Sequence, residues 1–235
     1  MARSTETADD RILEAGIYTV TEAAKLSGTS FQNVYRWLQG YSAPGHGMKP
    51  VFSRVPRWQA EEQPRLLSFL EVVELTVAIG FRHGLKGQLP VQLDRIRAAH
   101  EFARERLRVR YPFATLELKS SGGHILREFE ETHLGPRLVS LSHGGQITLP
   151  RPVMDELNNL DYNERGLARL WHPNGRDVPI VVNPALGSGK PTVEGTGVTV
   201  ATLQLRHRGG DSLQLLARDY GFSEDTVAEA LAFAA

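Results

Sequence analysis

The chain has 235 residues, 41% hydrophobic and 23% charged, the composition of a globular protein with room for one large domain or two to three small ones. Its 27 Lys and Arg balance 27 Asp and Glu, which argues against a generally basic nucleic-acid coat, and the lack of cysteine excludes a disulfide or a thiolate metal site. The opening MARSTETADD is polar and acidic and no window approaches the ~20 apolar residues of a membrane span, so neither a secretory signal nor a membrane contact is predicted and a cytoplasmic location is expected.

Tyr18-Thr19-Val20 leads into a short helix over 21–26, where Ala23, Ala24 and Leu26 are available for packing. Gly28 ends it by accepting a left-handed backbone, and Ser30 is placed to cap a second helix over 31–38. Helix, glycine turn and capped helix is the order of a helix-turn-helix. Val34, Trp37 and Leu38 share one helical face and pin the second helix inward, leaving Gln32, Asn33, Tyr35, Arg36 and Gln39 outside. Residues 41–58 are rich in Gly and Pro and read as a loop or irregular β wing.

Pro64 is read as the start of the next helix, with Leu66, Phe69, Leu70, Val73 and Val77 in one apolar stripe. Pro90 opens another, to about Val109, whose Leu93, Ile96, His100, Ala103 and Leu107 alternate three and four apart; a seam this short predicts packing within the chain. After Tyr111-Pro112, apolar pieces at 115–118, 124–126, 138–141 and 146–149 flank Gly122-Gly123 and Gly144-Gly145, which predicts two hairpins. A helix at 152–159, strands at 167–171 and 179–182, and closing helices at 212–220 and 224–233 complete the reading. In the closing pair Gly221 makes the turn and Ser223 the cap.

Charge is unevenly spread. Residues 15–60 hold five Lys/Arg against one acid and residues 80–113 eight against three, whereas residues 114–235 hold eleven against fifteen. A basic front suits DNA, and an acidic back suits a different partner. In the front unit Gln32 and Asn33 can pair with adenine, and Arg36 with guanine or a phosphate. Ser30, Tyr35 and the wing cations Lys49, Arg54 and Arg57 complete the candidate DNA-binding set, the cations as phosphate contacts that position without reading sequence. A pair of helices whose polar face meets only water is the ordinary alternative; the basic balance and the cap placement favour DNA. The second basic stretch, Arg95 to Arg110, reads by default as a solvated helix face.

Catalytic chemistry finds little support. Gly187-Ser188-Gly189-Lys190-Pro191-Thr192 fails as a P-loop, because Pro184 stands where a glycine is needed and Pro191 where Ser or Thr must hold magnesium. The eight histidines show no metal-ligand spacing, Asp155-Glu156 and Asp161 lack a nucleophile, and Ser140 and Ser142 lack the turn of a catalytic serine. No enzyme, metal or cofactor is expected.

Asn183-Pro184, Gly189-Lys190-Pro191, Gly195-Thr196 and the two closing helices resemble the domain of unknown function 433, with Gly197 where that family commonly has arginine and Thr199 where it commonly has proline. The front, with Tyr18-Thr19-Val20, Ala23-Ala24 and Arg36-Trp37, resembles the MerR-like helix-turn-helix, and the whole order is similar to the longer Vap-type antitoxins. The resemblance implies a type II toxin–antitoxin pair, in which this chain silences a PIN-like ribonuclease toxin and represses its own operon through operator DNA. Asn183, Lys190 and Thr196 of the motif and the acids Glu224, Asp225 and Glu229 are the candidate toxin-binding residues; the acids would repel phosphate, so a helix-turn-helix here need not mean DNA, and they meet a basic partner or are simply solvated.

The expected fold is mainly helical α+β, in three parts. Residues 1–113 form a MerR-like DNA-binding head, 114–176 a small β-containing connector, and 177–235 a helix-turn-helix-like tail. A homodimer is expected because one short recognition helix binds weakly and two half-sites raise affinity. The alternative function is a MerR-like transcription regulator that responds to a ligand or partner and has no toxin. A structural adaptor would bind no DNA at any salt concentration.

Overall fold

The computed structural model describes residues 8–43, 46–52, 66–83, 90–135, 137–141 and 146–233. The fold is α+β and mainly helical, with ten α-helices among the described residues and four small antiparallel sheets.

α1 (Ala8–Glu14) and β1 (Tyr18–Thr19) precede α2 (Val20–Leu26). Thr19 and Glu22 form a reciprocal capping box: the Glu22 amide donates to Thr19 Oγ1 at 3.2 Å and the Thr19 amide to Glu22 Oε2 at 2.9 Å. Gly28 takes φ +62° and turns the chain into α3 (Phe31–Gln39), whose Asn33 amide donates to Ser30 Oγ at 3.2 Å. Val34, Trp37 and Leu38 are buried, as their spacing predicts. The following segment opens as a β wing, with β2 (Tyr41–Ala43) paired to β3 (His46–Met48), and the Val51 amide then donates to the Trp37 carbonyl at 2.7 Å.

Leu66 does not join the next helix, and Pro64 lies outside the described residues. Leu66 and Leu67 form β4 (Leu66–Leu67), paired antiparallel with β1, and Ser68 with Glu71 makes a second capping box that starts α4 (Phe69–His83). α4 is buried on nearly every side and forms the centre of the larger core. α5 (Leu93–Leu107) begins after Gln92 and ends where Arg108 adopts φ +57°; its Ile96, His100 and Ala103 are buried against neighbouring elements of the same chain.

The first predicted hairpin of the middle is absent: residues 116–132 form one helix, α6 (Leu116–Thr132), capped by Thr115. Leu118, Gly122, Ile125, Leu126 and Phe129 form its buried face, a helical spacing. The glycine pair is a packing notch rather than a turn. A Cβ on Gly123 would stand 2.9 Å from the Ile147 carbonyl oxygen, and one on Gly122 3.1 Å from Leu149 Cδ1. The second hairpin is present as β5 (Ser140–Leu141) with β6 (Ile147–Thr148), Gly144 and Gly145 lying outside the described residues.

α7 (Arg151–Asn158) leads to an antiparallel sheet of β7 (Leu160–Tyr162), β8 (Ala168–Trp171), β9 (Ile180–Val182) and β10 (Pro191–Val193) in sequential spatial order. α8 (Val200–Arg208), α9 (Leu213–Tyr220) and α10 (Glu224–Ala232) follow. The last two stand where the sequence predicts them; α8, capped by Thr199, is an addition. Two buried clusters result, one running from Leu13 to Val182 and one from Ile180 to Phe233, with β9 contributing to both.

Candidate functional site

The polar face of α3 is built from below. Burying Val34, Trp37 and Leu38 turns Gln32, Asn33, Tyr35 and Arg36 to the surface. Ser30, beyond capping the helix, fixes its start, and Asn33 Nδ2 donates to Thr29 Oγ1 at 3.2 Å, which orients that amide. Beside this face runs a trough of about 840 Å³ between α3, the wing and the ends of α4 and α5. Its polar lining includes Asn33, Arg36, Lys49, Arg82 and Arg97, with Asp94 as the one acid among the described residues. The predicted residues Asn33, Arg36 and Lys49 are thus brought together around one basic concavity. Arg54 and Arg57 lie outside the described residues.

Sequence reasoning missed two features here. Arg97 belongs to the stretch read as solvated, yet its Nε donates to the Pro50 carbonyl at 2.6 Å and its Nη2 to the Lys49 carbonyl at 2.7 Å. It anchors the base of the wing. Arg95 is also an internal tie, donating to the carbonyls of His133 and Leu134 and lying over the Phe129 ring, whereas Arg106 and Arg110 are exposed, as expected of a solvated face, and pair with Glu128 and Glu14. Arginines facing carbonyl groups from distant segments leave no periodic signal. The second feature is Phe31, which is 49% exposed and stacks on Tyr35, itself 38% exposed. An aromatic residue at a helix start reads as core until burial is known.

At the other end, the glycine-rich motif is a chain of tight turns. Asn183 Oδ1 accepts from the Ala185 amide at 2.9 Å, and Thr196 Oγ1 donates to the Val193 carbonyl at 2.8 Å and accepts from the Val198 amide at 3.2 Å. Both side chains thereby hold their own turns. Gly189, at φ +74°, offers its carbonyl to the buried Tyr18 hydroxyl at 2.9 Å, and a Cβ there would stand 2.5 Å from that oxygen. This contact joins the two ends of the chain, and burial with the Glu22 charge pushes the Tyr18 hydroxyl well above the usual phenol range. A crevice of about 290 Å³ lies alongside, lined among others by Glu22, Lys25, Lys190, Gln204 and Phe233. Lys190, Glu224, Asp225 and Glu229 are exposed, Glu224 accepting from Gln214 Nε2 at 3.2 Å.

The titratable groups of the middle are tied within the fold. Asp161 accepts from Arg176 at 2.7 Å, and Arg176 also bonds the carbonyls of Asn158 and Leu160. Burial, with the Asp155 charge, pushes the Glu156 carboxyl up to about 7. His100 meets Glu74 at 3.0 Å between the rings of Phe52 and Phe113. No group of three or more His, Asp or Glu suited to a metal occurs among the described residues, and none of their helices is long and apolar enough to cross a membrane.

Fold and surface thus define a two-ended α+β protein with a helix–turn–helix unit at each end. Residues 180–234 match the family model described as "Protein of unknown function (DUF433)". Over 227 residues, 94% of this chain and 90% of the other, the sequence is 28% identical to "Uncharacterized protein Rv2308" of Mycobacterium tuberculosis. Over 228 residues, 92% of each, it is 25% identical to "Putative antitoxin VapB45" of the same organism. The crystal structure of Rv2018 from Mycobacterium tuberculosis shares the fold, with a TM-score of 0.71 at 22% identity over 93% of this chain and 99% of that one. Over 92% of its length, the chain is thus similar to a protein whose name reads "Putative antitoxin".

Proposed function

We propose that the protein is the antitoxin of a type II toxin–antitoxin pair, which neutralises a PIN-like ribonuclease toxin and represses its own operon by binding operator DNA as a homodimer. The observation that carries this reading is the similarity to "Putative antitoxin VapB45" over 92% of both chains. The DNA half is supported by the exposed Gln32, Asn33, Tyr35 and Arg36 on a capped helix beside a basic trough holding Lys49. In this reading residues 1–113, with a MerR-like unit, hold the operator, and residues 177–235 hold the toxin through Lys190 and the acidic face of α10, the intervening part joining them. The protein acts by occupancy, in the cytoplasm, without a catalytic group, metal or cofactor of its own.

Co-expression with the adjacent reading frame tests it. That frame is expected to arrest growth alone, and to be silenced and co-purified with this chain. A harmless neighbour that does not bind removes the antitoxin reading and leaves a MerR-like transcription regulator without a toxin.

A further inference from the structure

Phe31 is the least expected residue on the polar face of α3, where it meets the expected Tyr35. Their rings stack with centroids 5.9 Å apart and planes 21° from parallel, and both are largely outside the core. Single exposed apolar residues are ordinary on a protein surface, but two stacked on one edge of a nine-residue helix form a built apolar strip. At roughly 100° per residue, the exposed side of α3 divides into three strips. Phe31 and Tyr35 form one edge, Gln32 lies in the middle, and Asn33 and Arg36 form the other edge, which borders the trough holding Lys49, Arg82 and Arg97.

A ligand matching all three strips must offer negative charge on one side, a paired donor and acceptor in the middle, and an apolar group on the other. The major groove of a duplex does so at an A·T pair. Phosphates flank it, adenine presents N6 and N7 to an amide, and the thymine C5-methyl is the apolar group on its floor. Phe31 is also the first residue of α3, directly after the Ser30 cap, the end from which side chains reach base edges. Resting on the DNA-binding reading above, we infer that Phe31, backed by Tyr35, is a base-reading residue that contacts a thymine methyl next to the base met by Gln32. The half-site is then specified at its centre by an A·T pair, and not by Arg36 alone.

The test uses the full-length protein and a library of random-sequence duplexes, from which the preferred site is selected. Each thymine of that site is then replaced by deoxyuracil, which removes only the methyl group. One thymine per half-site is expected to lose about fourfold in affinity, the worth of one buried methyl. Phe31→Ala is expected to bind the thymine and uracil duplexes equally, while Phe31→Leu, which keeps an apolar contact, retains the preference. Circular dichroism and thermal melting check the fold of both variants. Wild-type protein indifferent to every thymine-to-uracil change overturns the inference while leaving DNA binding intact. So does a Phe31→Ala variant that keeps the preference but sediments as a monomer where the wild type is a dimer, since the strip is then a contact between copies. Failure to select any sequence, with no duplex bound at low salt, overturns the DNA reading itself.

Discussion

The two ends of the chain use one local design for opposite surfaces. At the front, α2 gives way to Gly28 at φ +62°, Ser30 caps, and the nine-residue α3 follows; at the back, α9 gives way to Gly221 at φ +70°, Ser223 caps, and the nine-residue α10 follows. Both serines accept from the amide three residues on, at 3.2 Å for Asn33 and 3.0 Å for Thr226. The scaffold is therefore no guide to the ligand. The front helix shows aromatic, amide and guanidinium groups beside a basic trough, whereas the back helix shows Glu224, Asp225 and Glu229. Carboxylates at a helix N-terminus suit the helix itself but repel a phosphate that approaches it. The lesson is that capping and turn residues make the unit, and the side chains between them choose its partner.

The sharpest way to break the comparison is to strip the front surface. Asn33→Ala with Arg36→Ala is expected to weaken binding to the selected duplex by about 100-fold or more, at about 1–3 kcal/mol for each base or charge contact. Glu224→Ala with Glu229→Ala is expected to leave DNA affinity unchanged and to weaken toxin capture, measured by titration calorimetry. Equal losses of DNA affinity in the two double variants would make both units nucleic-acid binders.

Next in size is the contact that joins the ends. Gly189→Ala places a methyl against Tyr18 and Ile17 at a positive φ, and is expected to destabilise the protein by about 3 kcal/mol in urea unfolding. An unfolding curve like that of the wild type would show that the motif and the front unit are not coupled.

The shared scaffold predicts matched, smaller losses. Ser30→Ala and Ser223→Ala should each cost about 1 kcal/mol of stability, and only the first should also weaken DNA binding. The smallest effect is at the wing: Lys49→Ala should lower the salt dependence of DNA affinity by about one unit of log–log slope, with no change in sequence preference. An unaltered slope would take Lys49 off the phosphate backbone.

Much of this architecture is written in short-range signals. The Ser30 and Ser223 caps, the left-handed glycines Gly28 and Gly221, and the buried faces Val34-Trp37-Leu38 and Leu216-Ala217 act within a turn or two of helix, so their reading from the sequence agrees with the fold. The same holds for the hairpin at β5 and β6 and for α7, β8 and β9, whose bounds differ from the expected ones by a residue or two. α8 escaped because its β-branched start and the 65% exposed Leu205 blur the helical stripe that Val200 and Leu203 would otherwise draw.

The sequence alone therefore determined the turns at Gly28 and Gly221, the caps at Ser30 and Ser223 and the apolar faces of the helices beside them, because each depends on neighbours a few residues away. Tertiary structure alone decided whether Gly122-Gly123 is a turn or a notch, and whether Leu66-Leu67 extends α4 or pairs with Tyr18-Thr19. It also decided that Arg97 anchors the wing and that Phe31 faces outward. For the glycine pair, Leu66-Leu67 and Arg97 the deciding atom lies on a segment far along the chain, and a residue's own chemistry does not say which distant surface will cover it or, as at the half-exposed Phe31, leave it open.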